Sequence, residues 1–214
     1  NGISTYSMWY LIIQHEWYVH NGNIDFLRHH RAYITGVIDR IDECVDEEGN
    51  ENLAKQRFLD WPSSPNQPGV EAGCRALLSW ALKDAEVLCN LLEEQEHAKK
   101  CRAISKRLKK QIKQPNGLKQ AAALMSIAGL MKPEQACSEV ISVDGAKDFS
   151  TFYGYYMLQA LAQAGEYQQA LDIIRQYWGG MLDLGATTFW EDFNLDWIHN
   201  AARLDDFVPE GKDD

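Results

Sequence analysis

The chain has 214 residues, which suits one domain or a large part of one, and 45% of them are hydrophobic, enough for a sizeable core. Its formal net charge of -10 opposes nucleic-acid binding, and no apolar run approaches the ~20 residues of a membrane span. The five cysteines are odd in number and lack CxxC spacing, which argues against a disulfide framework and a zinc site. Nothing in the sequence requires a metal or another cofactor.

Apolar residues recur at helical spacing from the start of the chain. The first predicted helix contains Trp9 to Trp17 and ends at Asn21–Asn23, because Asn-Gly-Asn is a strong helix stop. The longest apolar stripe predicts a second helix from Phe26 to Val45. An acidic turn is expected at 46–52, and a short extended segment at 56–61.

The middle of the chain contains a proline-rich segment and a basic segment. The prolines of Pro62 to Gly69 predict a loop, and a helix is predicted over 77–92. Basic residues then surround an apolar helical stripe made of Ala98, Cys101, Ile104, Leu108 and Ile112. This pattern is typical of a solvated helix face, and Pro115–Gly117 is expected to end the helix.

The second half of the chain also has helical spacing. Helices are predicted at Leu118 to Leu130 and from Pro133, followed by a helical hairpin at Thr151 to Met181 that Gly165 interrupts. The aromatic run Phe152–Tyr156 is interpreted mostly as ordinary core. Strand alternation is almost absent, so we predict an all-α fold built from antiparallel helix pairs.

Two segments place acids beside tryptophans. In GATTFWEDFNLDW, Glu191 directly follows Trp190, and in FLDWPSS, Asp60 directly precedes Trp61. An indole packs against the apolar face of a pyranose, and a fixed carboxylate takes a proton or stabilises positive charge at the reacting carbon. We expect the two loops to lie at the same end of the helices and to form a sugar site. For Asp60 and Trp61, a helix cap beside a core tryptophan is an equally good interpretation.

The motif GATTFWE, Gly185 to Glu191, resembles the one that carries the general base in bacterial α-L-rhamnosidases. These are six-hairpin glycosidases with an (α/α)6 barrel. Three other stretches resemble this family in the same order and spacing: Ile3 to Leu27, Phe58 to Trp61 and Tyr155 to Leu182. The resemblance covers most of the chain and implies antiparallel helical hairpins that form part of an (α/α)6 barrel.

The resemblance also implies a reaction and its residues. The reaction is inverting hydrolysis of terminal α-L-rhamnosides, in which a general base activates water and a second carboxyl group acts as acid. Glu191 would be the base, Trp61 and Trp190 would line the rhamnose pocket, and Asp60 would support Trp61. The expected partner is therefore a carbohydrate substrate, a rhamnoside.

Two family segments are not found in this sequence. In the family, the acid lies in an acid- and arginine-rich segment ahead of the first helix found here, and a histidine-containing motif follows the base. We therefore expect residues 1–214 to be a single, incomplete catalytic domain that is inactive alone and works with the remainder of its own catalytic domain. A periplasmic or extracellular location is slightly favoured over a cytoplasmic one.

Two alternative functions fit the same residues. A non-catalytic α-helical interaction module would scatter the four candidate residues or bury them as core. Another (α/α)6 hydrolase, such as a glucoamylase-like or unsaturated-uronyl enzyme, would act on a different sugar. A uronyl substrate favours Arg or Lys in the pocket loops, and neither occurs within Asp60–Gly69 or Gly185–Trp197, which favours a neutral sugar.

Overall fold

The structure, a computed structural model, describes residues 3–53 and 57–213. Its α-helices in chain order are α1 (Thr5–Asn21), α2 (Ile24–Cys44), α3 (Gln67–Leu91), α4 (Gln95–Leu108), α5 (Lys119–Ile127), α6 (Pro133–Ala136), α7 (Thr151–Gln163), α8 (Tyr167–Asp183) and α9 (Trp197–Asn200). A π-helical turn, Cys137–Ile141, continues α6. Within the described ranges there is no β-strand, and β pairing takes the form of isolated bridges such as Val45–Glu51 and Ala201–Asp213. No helix of these ranges is long and apolar enough to cross a bilayer. The predicted all-α class is confirmed.

The chain divides into two compact units. The first contains Asn1–Leu59 and Val70–Gln114, and the second contains Asp60–Gly69 and Pro115–Asp214. In the first unit α2 packs against α1 and α4, and in the second α7 packs against α5, α6 and α8. Both acid-bearing loops, Asp60–Gly69 and Gly185–Trp197, belong to the second unit. The single domain expected from the sequence stays a prediction.

The turn between α1 and α2 forms where the sequence predicts it. Gly22 has a φ of +65°, and its amide donates to the Tyr18 carbonyl at 2.7 Å, which closes the end of α1. The Asn23 side chain accepts a hydrogen bond from the Phe26 amide at 3.1 Å and begins α2. Two helices joined by so short a turn form a hairpin, and the buried stripe of α2 faces inward at Leu27, Ile34, Ile38 and Ile41.

Two predicted boundaries were wrong. The segment Pro62–Gly69 is not a loop throughout, because α3 begins at Gln67. The Asn66 side chain accepts a hydrogen bond from the Gly69 amide at 3.0 Å, and Pro68 lies in the first helical turn, where its missing N–H is not needed.

The second wrong boundary is the end of the basic helix. Helix α4 ends at Leu108, well before the Pro115–Gly117 stop that the sequence indicated. Ile112, the last member of the predicted stripe, is 81% exposed and so adds no buried contact that would continue the helix. Of the predicted extended segment at 56–61, Gln56 lies outside the described residues.

Lys119 is a buried lysine at the start of α5. Its side chain donates hydrogen bonds from Nζ to the carbonyls of Val143 at 2.6 Å and Gly145 at 2.7 Å. The same ammonium lies 5.2 Å from the ring centroid of Phe149. Burial lowers the pKa of Lys119 to about 8, although the carboxylates of Asp148 and Asp144 act in the opposite direction.

The lowered pKa of Lys119 predicts that the stability of the folded chain depends on pH between about pH 8 and pH 10.4. An unfolded lysine has a pKa of about 10.4, so between about pH 8 and pH 10.4 the unfolded chain binds more protons than the folded chain, and stability rises with pH. The wild type should therefore gain stability relative to Lys119→Met as the pH rises. The difference between their free energies of unfolding should grow by on the order of 2 kcal/mol over this window. Urea unfolding at each pH measures the difference.

The exposed Lys147 provides the control for that series. The corresponding difference for Lys147→Met should stay flat, because the Lys147 side chain is exposed to water in the folded chain as it is in the unfolded chain. A flat difference for Lys119→Met as well would contradict the lowered pKa.

Candidate functional site

Glu191 lies on an open concavity of the second unit. The concavity has a volume of about 410 Å³, and its lining consists of Thr151, Phe152, Tyr155, Tyr156 and Glu191. This volume is in the range of small-molecule sites. Phe152 is 54% exposed and Tyr155 is 65% exposed, so both rings are accessible to a ligand.

Helix α7 supplies four of these five residues from its first two turns. Its side chains at Thr151, Phe152, Tyr155 and Tyr156 share one face, because residues three and four apart are neighbours on a helix. Edge-to-face contacts fix the rings, with centroid distances of 5.7 Å between Phe152 and Tyr156 and 5.1 Å between Tyr155 and Tyr156. The interpretation of this run as core holds for Tyr153 and Tyr156, which are buried, but is wrong for Phe152 and Tyr155.

The loop that carries Glu191 has no helix or strand between Gly185 and Asp196. The Trp190 carbonyl accepts a hydrogen bond from the Thr151 hydroxyl. Phe193 is buried, with its ring 5.4 Å from that of Tyr177 and 5.7 Å from that of Trp190. Glu191 lies between Trp190 and Phe193 in the chain, and its side chain is exposed to solvent.

Asp60 is held by hydrogen bonds from two directions. Its carboxylate accepts from the Ser63 amide at 3.0 Å and from Gln120 Nε2 at 3.1 Å. Gln120 is a buried residue of α5, so the carboxylate is tied to the helical scaffold. Trp61, the next residue, is 63% exposed. Asp60 therefore caps a turn at 61–65 and not a helix, since α3 begins at Gln67, and the interpretation of Trp61 as core is wrong as well.

Tyr177 of α8 is a buried phenol whose pKa is affected by carboxylates of both acid-bearing loops. Burial raises the pKa of Tyr177 to about 12. The carboxylates of Asp192 and Asp60 act in the same direction, while the Thr151 side chain and the Phe193 backbone lower it. One of these two carboxylates comes from each acid-bearing loop.

The four candidate residues all belong to the second unit but occupy different places in it. Glu191 lines the concavity, whereas Trp190 is not among its described lining residues and accepts a hydrogen bond from Thr151, which is. Asp60 is fixed by Gln120, and Trp61 is exposed beside it. None of the four is buried as core, and their roles in catalysis and sugar binding stay predictions.

Sequence reasoning missed Thr151 and Gln120, which hold the two loops. Thr151 donates to a residue 39 positions away in the chain, and Gln120 donates to one 60 positions away. No local pattern marks such a contact, because a threonine at a helix start and a glutamine within a helix are ordinary choices. The aromatic spacing after Thr151 was the one visible signal of this face.

Comparison with known proteins finds a likeness in fold. No protein-family model and no curated protein matches the sequence. The structure is similar to that of a rhamnosidase from Klebsiella oxytoca with rhamnose bound, with a TM-score of 0.74 and 18% sequence identity. The match covers 99% of this chain and 43% of the rhamnosidase chain, so the chain spans less than half the length of that protein. This likeness confirms the predicted fold class, antiparallel helical hairpins of the kind that form part of an (α/α)6 barrel.

Proposed function

We propose that this chain is part of the catalytic domain of a glycoside hydrolase of the α-L-rhamnosidase type. The observation that carries the proposal is the position of Glu191, an exposed carboxylate on a concavity whose other lining residues are three aromatic rings and a threonine. Its motif resembles the general-base motif of the family, and a rhamnosidase with rhamnose bound has a similar fold.

In the proposed reaction, Glu191 accepts a proton from water. The water attacks the anomeric carbon from the face opposite the leaving group, which inverts its configuration. A carboxylic acid about 6.5 to 9.5 Å from the base must protonate the leaving oxygen. Glu191 is the only acid among the described residues that line the concavity, so we propose that another part of the catalytic domain supplies the acid. The 214-residue chain alone should then bind sugar and hydrolyse it poorly.

The chemistry of the concavity favours a neutral, partly apolar sugar. Its described lining contains no Arg or Lys to pair with a uronic carboxylate. The exposed rings of Phe152 and Tyr155 suit the apolar face of a pyranose, and the methyl group of a 6-deoxy sugar adds apolar area. In this proposal Trp61 and Trp190 complete the pocket, with Asp60 supporting Trp61.

Sugar binding to the chain tests this proposal. We expect rhamnose to bind with a dissociation constant of about 1 mM, as measured by NMR titration, and glucuronate not to bind. Tyr155→Ala should weaken rhamnose binding about tenfold, because an exposed ring would be lost from the sugar contact.

Tyr167 provides a matched control. It is 65% exposed, as is Tyr155, but it lies at the start of α8 and does not line the concavity. Tyr167→Ala should bind rhamnose as the wild type does. Equal losses in the two variants, or a preference for glucuronate, would count against the proposed site.

A further inference from the structure

Thr151 contacts both the concavity and the loop that carries Glu191. It lines the concavity beside Glu191, and its hydroxyl donates a hydrogen bond to the Trp190 carbonyl. That carbonyl belongs to the peptide group whose nitrogen is the backbone nitrogen of Glu191. Because a peptide group is planar, the hydrogen bond fixes the orientation of the unit that carries the Glu191 Cα.

The backbone on the other side of Glu191 is held by packing. The Phe193 ring lies so close to Gly180 of α8 that a Cβ placed on Gly180 would be 3.0 Å from Phe193 Cε1 and Cζ. The Phe193 amide also donates to the Asp192 carboxylate at 2.8 Å. Glu191 is therefore held between a hydrogen bond to α7 and an aromatic contact with α8.

A threonine suits this position for a physical reason. Its branched Cβ restricts rotation about χ1, so the hydroxyl loses little freedom when it binds the carbonyl. Thr151 is also the first residue of α7, where the helix fixes its backbone. The donor is thus already oriented before a ligand arrives, which is what a precisely placed base requires.

From these contacts we infer that Thr151 is a positioning residue, which holds the Glu191 carboxylate at the concavity by fixing the peptide group between Trp190 and Glu191. The inference rests on the proposed function of Glu191 as general base. Thr151 acts through the backbone and takes no proton itself.

Two variants distinguish the effect of the Thr151 hydroxyl from the effect of the side-chain shape. Thr151→Val keeps the branched shape and removes the donor, whereas Thr151→Ser keeps the donor. In the intact enzyme, Thr151→Val should lower kcat for an aryl α-L-rhamnoside about 10- to 100-fold, with KM changed less than about threefold. Thr151→Ser should retain kcat within about threefold of the wild type.

A second readout on the chain itself does not depend on hydrolysis. The ¹⁵N order parameter of the Glu191 amide should be near 0.85 in the wild type and in Thr151→Ser, about the value of a rigid backbone, and should fall below about 0.6 in Thr151→Val. An unchanged order parameter and kcat in Thr151→Val, or equal losses in both variants, would overturn the inference. A loosened Glu191 in an enzyme that hydrolyses no rhamnoside would support the positioning and contradict the proposed function.

Discussion

Replacement of Glu191 by Gln is expected to lower kcat for rhamnoside hydrolysis by the intact enzyme by about 10² to 10⁴, the usual scale of acid–base catalysis. Gln keeps the size of the side chain and still binds water, but it does not accept a proton at neutral pH. The Glu191 side chain is exposed, so the variant should unfold at the same temperature as the wild type. Steady-state release of phenol from an aryl α-L-rhamnoside measures the loss.

Asp196 is the matched control for this variant. It is an exposed acid on the same loop, and it does not line the concavity. Asp196→Asn should keep kcat within about threefold of the wild type, because a carboxylate away from the reacting atoms contributes little to acid–base catalysis. A loss of less than tenfold in Glu191→Gln, or the same loss in both variants, would contradict the role of Glu191 as base.

Replacement of Phe193 by Ala should lower the free energy of unfolding of the chain by about 3–5 kcal/mol. Phe193 is 3% exposed, and its ring contacts the rings of Tyr177, Trp190 and Trp197. Truncation would open a cavity under the loop that carries Glu191 and remove one of the two anchors of that loop. Urea unfolding followed by tryptophan fluorescence measures the change.

The same loop provides an internal comparison. Phe189 is 71% exposed, so Phe189→Ala should change the free energy of unfolding by no more than about 0.5 kcal/mol. Similar effects in the two phenylalanine variants would show that Phe193 does not anchor the loop.

The parts of the fold that local signals specify were predictable from the sequence. The Asn21–Asn23 turn and the hairpin with its break at Gly165 both appear in the structure, because glycine at positive φ ends a helix wherever it lies. The start of α3 was missed, since Pro68 indicates a loop by itself and becomes compatible with a helix only beside the Asn66 cap. The early end of α4 depends on which apolar residues find a core, which spacing alone does not determine.

The candidate site was predictable to a similar extent. The adjacent Trp190 and Glu191, in a loop that begins at Gly185, indicated the residue that lies on the concavity. No local pattern indicated that Thr151 binds the Trp190 carbonyl or that Gln120 binds Asp60, since both contacts depend on tertiary packing. The exposure of Phe152 and Tyr155 was equally unpredictable from the sequence, because aromatic residues at helical spacing usually indicate core.

A crystal structure of the chain with rhamnose tests the central claim most directly. The account predicts rhamnose in the concavity, with the Glu191 carboxylate within hydrogen-bond reach of a water next to the anomeric carbon, at about 2.6–3.2 Å, and the Tyr155 ring against the sugar. Rhamnose bound at another surface with this concavity empty, or bound there with the Glu191 carboxylate turned away from the anomeric carbon, would contradict it.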